Sequence, residues 1–336
     1  MKSRELVKQT LEFNNTAGKV PRHKWLLKWA ELQYPEFLEE LQKKYPDDIA
    51  GAPEAYIEEP LVQGDPFAVG VYKDAWGCEF INVQEGIIGE VKRPLILDEE
   101  WEDAENVRLP KELLTVDREK VNAFCAGTDK FVLSALSPRP FERLQFLRGT
   151  EDFYADLIYR PKGMLRFMGR LHDFYCEMLE QWAKTDVDAI KFMDDWGAQN
   201  SMLIDAKTWR SLFKPMYQDY TAIARKHHKK IFMHSDGYIL PILPDLIEIG
   251  VDALNCQVFC MGPEKLKVFA GQITFWGEID RQHLLPHGSL EEIRNAVERL
   301  REAFWKNGGA IAQCEFGPGA KPENVEEVFR TWERTV

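Results

Sequence analysis

The chain has 336 residues, of which 45% are hydrophobic and 29% charged, and its formal net charge is −12 at pH 7. That composition belongs to a globular protein long enough for a large core, and an acidic chain lacks the electrostatic footprint of a nucleic-acid or anionic-membrane binder. No apolar run reaches the roughly 18 residues a spanning helix needs. The N-terminal MKSRELVKQTLEFNN has no apolar core of a secretory signal, and the six cysteines show no CxxC spacing, so the expectation is a soluble cytoplasmic protein with mostly free, buried thiols.

In chain order, residues 1–115 are irregular. Pro, Trp and acidic residues recur between short apolar runs, and alternation in Phe67–Tyr72 and Ile87–Val91 suggests small strands or hairpins. From about Val121 the pattern becomes regular, and residues 116–336 read as β/α units. The predicted strands are Phe131–Ala135, Ala189–Met193, Lys230–Met233, Ala253–Asn255, Thr274–Trp276 and Ala310–Gln313, with Val121–Ala126 a weaker candidate. Between them run helical patterns: Met164–Ala183, Ala206–His228, Ile239–Ile249, Pro263–Phe269, Leu290–Trp305 and Glu323–Arg334. Asp205 is placed to cap one helix, Gly250 to end another, and Ser289 with Glu292 fits a capping box.

Continuous apolar strands alternating with helices imply a parallel sheet with covered faces. Repeated units without a GxGxxG after the first strand favour a single (β/α)₈ barrel domain over 1–336, with an irregular N-terminal extension carrying small hairpins. Its strand ends carry the polar residues. KFMDDWG ends in Asp194 and Asp195, KIFMHSDG in His234 and Asp236, and DALNCQ in Asn255 and Cys256. TFWGEID ends in Glu278 and Asp280, and AIAQCEFG in Cys314 and Glu315. In a barrel all these ends open on one face, where active sites are built.

Each candidate has a plain alternative. Asp194-Asp195 is either a cavity carboxylate or a helix cap with a solvated turn, and Asn200 on the same loop would orient a substrate oxygen. His234 and Asp236, at i and i+2 of an extended segment, point to one face, where they bind a metal or act as acid and orienting base. Cys314 is either a ligand or a buried thiol. Trp196 and Trp276 line a pocket for a flat ligand or fill a barrel core.

As a set, KYPDD, DAWGCEF, FERLQFLRG, DDWG, HSDG, DALN, FWGEID and KPEN resemble the uroporphyrinogen decarboxylase superfamily over nearly the whole chain. The resemblance implies a (β/α)₈ barrel with ligands at the strand C-termini. Decarboxylases of that superfamily carry an Arg-Gln-Ala-Gly-Arg loop for the porphyrinogen carboxylates. VPRHKWLLKWAEL stands in its place here, with Arg22 and Lys24 as weak substitutes. The other branch comprises corrinoid-dependent methyltransferases, whose zinc-using members carry His-x-Cys and a distant Cys. His234 matches the first ligand and Cys314 the last, while Asp236 replaces the middle cysteine. The implied zinc site is His234, Asp236 and Cys314 with one open position, harder than a thiolate site and suited to an oxygen leaving group.

The resemblance therefore points to an O-demethylase-type methyltransferase. It would move methyl from a methoxylated, aromatic small molecule to the cobalt of a separate corrinoid protein, since no Asp-x-His-x-x-Gly cobalamin motif is present. His234 or Asp236 would supply the acid, with Glu278 or Asp194 as alternatives. Asn200, Trp196, Asn255 and Trp276 would bind substrate. Decarboxylation of a tetrapyrrole or other polycarboxylate, and a non-catalytic ligand-binding barrel, are the competing expectations.

Overall fold

A computed structural model describes residues 1–334. Seven parallel strands form one sheet in the order Ala310–Ile311, Thr274–Trp276, Ala253–Cys256, Lys230–Ser235, Ala189–Met193, Phe131–Leu133, Ile49–Gly51. Neighbours in that sheet follow chain order, as βαβ crossovers dictate. The sheet is curled: Ile49 and Ile311, on its two outermost strands, belong to one inner cluster with Phe131, Leu133, Phe232 and Trp276. A two-stranded parallel ribbon, Trp25–Leu26 beside Glu315–Phe316, extends one edge. The same N-terminal segment touches both edges of the sheet. His23 N–H donates to the Ala312 carbonyl at 2.9 Å, and Asp48 N–H donates to the Arg22 carbonyl at 2.8 Å.

The two faces of each strand divide cleanly. Ala189, Phe232, Ala253, Trp276 and Ile311 face the hollow, while Ile190, Phe192, Met233, Leu254, Phe275 and Ala312 face the helices, as a period of two requires. The covering helices are amphipathic. Lys162–Ala183 buries Phe167, Leu171, Phe174, Met178, Leu179 and Trp182 along one face, each worth about 1.5–3 kcal/mol in apolar burial.

Several boundaries match the sequence reading. Asp205 accepts from the N–H groups of Lys207 and Thr208, Gly250 ends Leu243–Ile249 in a left-handed conformation, and Ser289–Glu292 closes a capping box. Others differ. Val121–Ala126 is not a strand but the body of a helix, Arg118–Ala126, capped by Asp117. The predicted Ala206–His228 helix is two, Ala206–Leu212 and Lys214–Lys226, because Pro215 has no N–H to continue the first. The stretch from Ile239 begins as a 3₁₀ turn, Leu240–Ile242. The N-terminal part is less irregular than expected. It supplies Trp25–Leu26 and Ile49–Gly51 beside the main strands, and an antiparallel three-stranded sheet of Gly70–Lys73, Glu79–Asn82 and Glu90–Val91. Among the described residues no helix is long and apolar enough to cross a membrane.

Candidate functional site

The strand alternation decides which end residues meet. On Ala189–Met193, Ile190 and Phe192 point outward, so Asp194 also points outward and Asp195 inward. Asp194 is fully buried beneath a helix. Its carboxylate accepts from the N–H groups of Phe141 and Glu142 at 2.9 Å each, and from the Tyr217 hydroxyl at 2.9 Å. It holds the start of Pro140–Arg148 and lies outside the cavity, which corrects its candidacy as an acid. Asp195 takes the inward place. The loops that carry Asp195 and Asp236 touch through two glycines: a Cβ on Gly197 would sit 2.4 Å from Tyr238 N, and one on Gly237 2.2 Å from the Gly197 carbonyl carbon. Only glycine permits that approach, and it sets the two carboxylates beside His234.

His234 is the centre. Its Nδ1 is 2.6 Å from Asn255 Oδ1, and the Asn255 amide NH₂ donates to the Trp276 carbonyl at 2.5 Å. With that donor spoken for, Asn255 Oδ1 can only accept, so Nδ1 carries a proton. Nε2 faces Asp195 Oδ1 at 3.3 Å and Asp236 Oδ1 at 3.6 Å. Burial alone would lower the imidazole's pKa. The Asp195 hydrogen bond and charge, the Asp236 charge and the Asn255 bond outweigh it, raising His234 to about 9. Burial likewise pushes Asp195 up, but His234 and the Asp236 N–H hold its carboxyl below the ordinary range.

A second centre is Arg281, which the strand-end reading did not select. Its guanidinium donates to Asp236 Oδ2 and, at 2.7 Å, to Glu315 Oε2, and its Nε lies 3.6 Å from Glu278 Oε1. One cation thus serves three carboxylates. Glu278 is 2% exposed. Burial pushes it up to about 8, Arg281 opposing and the charges of Asp236 and Glu315 adding to the rise. Glu315 is raised by burial too. Asp236 Oδ1, Glu278 Oε1 and both amide atoms of Gln313 are buried without a hydrogen-bond partner in the protein, and such orphans mark where a ligand's polar groups belong. Open space adjoins Glu278. A cavity of about 200 Å³ is lined by Glu278, Arg281, Asp280, Gln199 and Phe259. Another of about 490 Å³ shares Arg281 and adds Glu315 and Gly317.

Aromatic residues pack against the imidazole. Trp25 meets His234 edge-on at 4.8 Å between ring centroids and stacks on Trp276 at 5.6 Å. Trp276 also packs on Phe232 at 5.1 Å and donates through Nε1 to His23 Nδ1 at 3.1 Å. The other expected contacts part from this site. Trp196 is core, stacked on Phe141 at 4.3 Å and edge-on to Phe213 and Trp209. Asn200 is exposed on its loop. Cys314 is buried on the outward face in the helix-side core, as its parity with Ala312 and Phe316 demands, and burial raises its thiol's pKa. It is no ligand partner of His234. Among the described residues, the acidic, histidine and cysteine side chains that bring three donor atoms within 4.8 Å of one another are Asp195, His234 and Asp236. That oxygen–nitrogen–oxygen set, with Asn255 orienting the imidazole and an orphan oxygen on Asp236, fits a divalent ion.

The uroporphyrinogen decarboxylase (URO-D) family profile matches residues 66–335. Among solved structures, the chain is similar to a methyltransferase from Methanosarcina mazei at 15% identity and a TM-score of 0.68, covering 99% of both chains. A family 10 endo-beta-1,4-xylanase from Gloeophyllum trabeum aligns at 11% identity with a TM-score of 0.40, over 64% of this chain and 79% of its own. A D-psicose 3-epimerase aligns at 11% identity with a TM-score of 0.42, over 93% and 90%. No curated protein matches the sequence.

Proposed function

The chain belongs to the uroporphyrinogen decarboxylase family, and from that premise we propose that it is a cytoplasmic methyltransferase, passing the methyl group of a methoxylated aromatic molecule to the cobalt of a separate corrinoid protein. The reading takes residues 1–336 as one domain and the curled sheet as an eight-stranded barrel closed by the Trp25–Leu26 segment. The residues just before that segment support it: His23 N–H donates to the Ala312 carbonyl and the Arg22 carbonyl accepts from Asp48 N–H, at the sheet's two edges.

The observation that carries the reading is that two proton-holding groups, His234 and Glu278, are linked through Asp236 and Arg281: Asp236 faces His234 Nε2 at 3.6 Å and bonds Arg281, whose Nε lies 3.6 Å from Glu278. When the methyl carbon is attacked and the C–O bond breaks, the electron pair stays on oxygen, and an alkoxide or phenolate departs poorly unless it is protonated. Glu278, kept neutral by burial, donates that proton, and its new carboxylate is met by Arg281 Nε 3.6 Å away. Asp195 and Asp236 hold His234 cationic beside the departing oxygen. In place of the Nε2 proton, a zinc or similar ion held by Asp195, neutral His234 and Asp236 would supply Lewis-acid stabilisation instead. Trp25, half-buried beside His234, gives the ring a wall.

Decarboxylation of a polycarboxylate is favoured only by the cations Lys191 and Arg139 near the hollow. Lys24 is committed to Asp47 at 2.9 Å and the Tyr45 carbonyl at 2.5 Å, and Arg22 faces Asp48 and Glu333 at 4.0 and 3.6 Å. The test is incubation with a reduced corrinoid protein and a panel of aryl methyl ethers, methylamines and methanol, following cobalt by its absorption spectrum. Methyl–cobalt formation from an aryl ether is expected. Silence across the panel overturns the reading, and carbon dioxide release from a polycarboxylate would put the second in its place.

A further inference from the structure

The rim is electrically lopsided. Asp236, Glu278 and Glu315 crowd around Arg281, while the Ala189–Met193 strand presents a lysine. Lys191 shares the inward parity of Ala189 and lies in register with Phe232, one step below His234. After burial, the largest influence on it is the opposing charge of Arg139, ahead of the favourable charge of Glu54. Among the described residues the Lys191 ammonium makes no hydrogen bond and no ion pair. His23, which feels the Lys191 charge, is pushed down to about 3 by burial and by the neighbouring lysines, so it stays neutral and adds no further positive charge. Arg139 is poorly matched as well: its Nη1 is 3.8 Å from Glu142 Oε1, and its Nη2 rests on Met193 Sδ. Met193 pairs in register with His234.

A partly buried ammonium without an acceptor of its own, on the same strand face as the Met193 that carries the Arg139 guanidinium, is costly unless something negative joins them. The half-buried ring of Trp25, stacked on Trp276, offers a flat apolar surface on the same inner side of the sheet. We propose that Lys191 and Arg139 form an oxyanion subsite inside the hollow that takes the carboxylate of an aromatic substrate. Burial and the Arg139 charge lower Lys191 to about 8, and a bound carboxylate relieves both effects. Arg139 presents a planar fork and Lys191 a point charge, a pairing suited to one carboxylate. The subsite stands on its own geometry. That the methoxy end then faces His234 and Glu278 rests on the methyltransferase reading above.

The test is binding to the full chain, read by calorimetry and by the change in its tryptophan fluorescence. The probes are para-methoxybenzoate, its neutral counterpart para-methoxybenzamide, and inorganic phosphate. The benzoate is expected to bind roughly tenfold or more tightly than the amide, the increment of a charge-assisted pair. Lys191→Met should bring the benzoate down to the amide's level, Lys191→Arg should keep most of the preference, and phosphate should not displace the benzoate. Equal binding of the two probes, no binding of either, displacement by phosphate, or an unchanged preference in folded Lys191→Met overturns the proposal. If Lys191→Met does not fold, Lys191→Gln and the wild-type contrast between the probes decide. The two readings fail separately: a benzoate preference without cobalt methylation defeats the methyltransferase alone, and methylation that neutral ethers support equally well defeats the subsite alone.

Discussion

The imidazole of His234 and the side-chain amide of Asn255 are joined at 2.6 Å in one direction only, because the Asn255 NH₂ is engaged by the Trp276 carbonyl. His234 Nδ1 therefore always donates, and any proton gained or lost is at Nε2, between Asp195 and Asp236. The folded-state pKa of about 9 lies above the unfolded value of 6.5. The resulting stabilisation is complete below pH 6.5 and is lost as pH rises through 9. Denaturant midpoints measured between those limits should fall by the equivalent of up to about 3 kcal/mol, and His234→Gln should flatten that part of the profile. A profile unaltered by the substitution would remove the Asp195–His234–Asp236 cluster as its source.

Glu278 works in the opposite sense to its usefulness. A carboxyl held at about 8, against an ordinary 4.5, keeps its proton in the fold after the unfolded chain has released one. Glu278 thus costs stability increasingly as pH climbs from 4.5 to 8. Glu278→Gln should raise stability at neutral pH by about 1–2 kcal/mol while lowering methyl transfer at least about a hundredfold. Thermal melts paired with single-turnover kinetics check both arms.

Arg281 is the shared counterion of Asp236, Glu278 and Glu315. Arg281→Met should destabilise by about 3 kcal/mol where the carboxylates are ionised, and by less in acid, where they neutralise themselves. Unfolding at low and at mildly alkaline pH gives the comparison. A loss independent of pH would mean that packing of the side chain, not its charge, is what matters.

Asp194 and Asp195 should separate under substitution. Asp194→Ala removes the acceptor for two backbone N–H groups and the Tyr217 hydroxyl, and should cost about 2–4 kcal/mol with little change in turnover per folded molecule. Asp195→Asn should leave stability closer to wild type and lower the apparent pKa of His234, readable by ¹⁵N chemical shifts of the ring.

The inward polar set was legible because strand ends converge in this fold and side chains alternate: His234, Asp236, Asn255 and Glu278 were placed by that logic. The same alternation, applied to Ile311–Phe316, separates Gln313 and Glu315 from Cys314, and applied to Asp194-Asp195 it assigns one residue to the helix and one to the cavity. Lys191, a cation inside the apolar run AIKFM, was a signal of the same kind. Arg281 was not legible, since it sits on a loop and owes its position to three carboxylates from separate strands. Trp196 could not be told from a pocket aromatic, because its partners Phe141 and Phe213 are distant in sequence. Trp25–Leu26 and Ile49–Gly51 span two and three residues, too short for any periodicity to show.

The cluster and the ring that packs against it come from far apart in the chain: His234 and Arg281 lie in the C-terminal half, Trp25 near the start. Trp25 reaches the site only because its segment pairs with Glu315–Phe316. Access and chemistry are therefore separable by cut and splice. A chimera that exchanges the first few dozen residues with those of a relative, preserving the pairing register, would change what the site admits while leaving its proton chemistry in place.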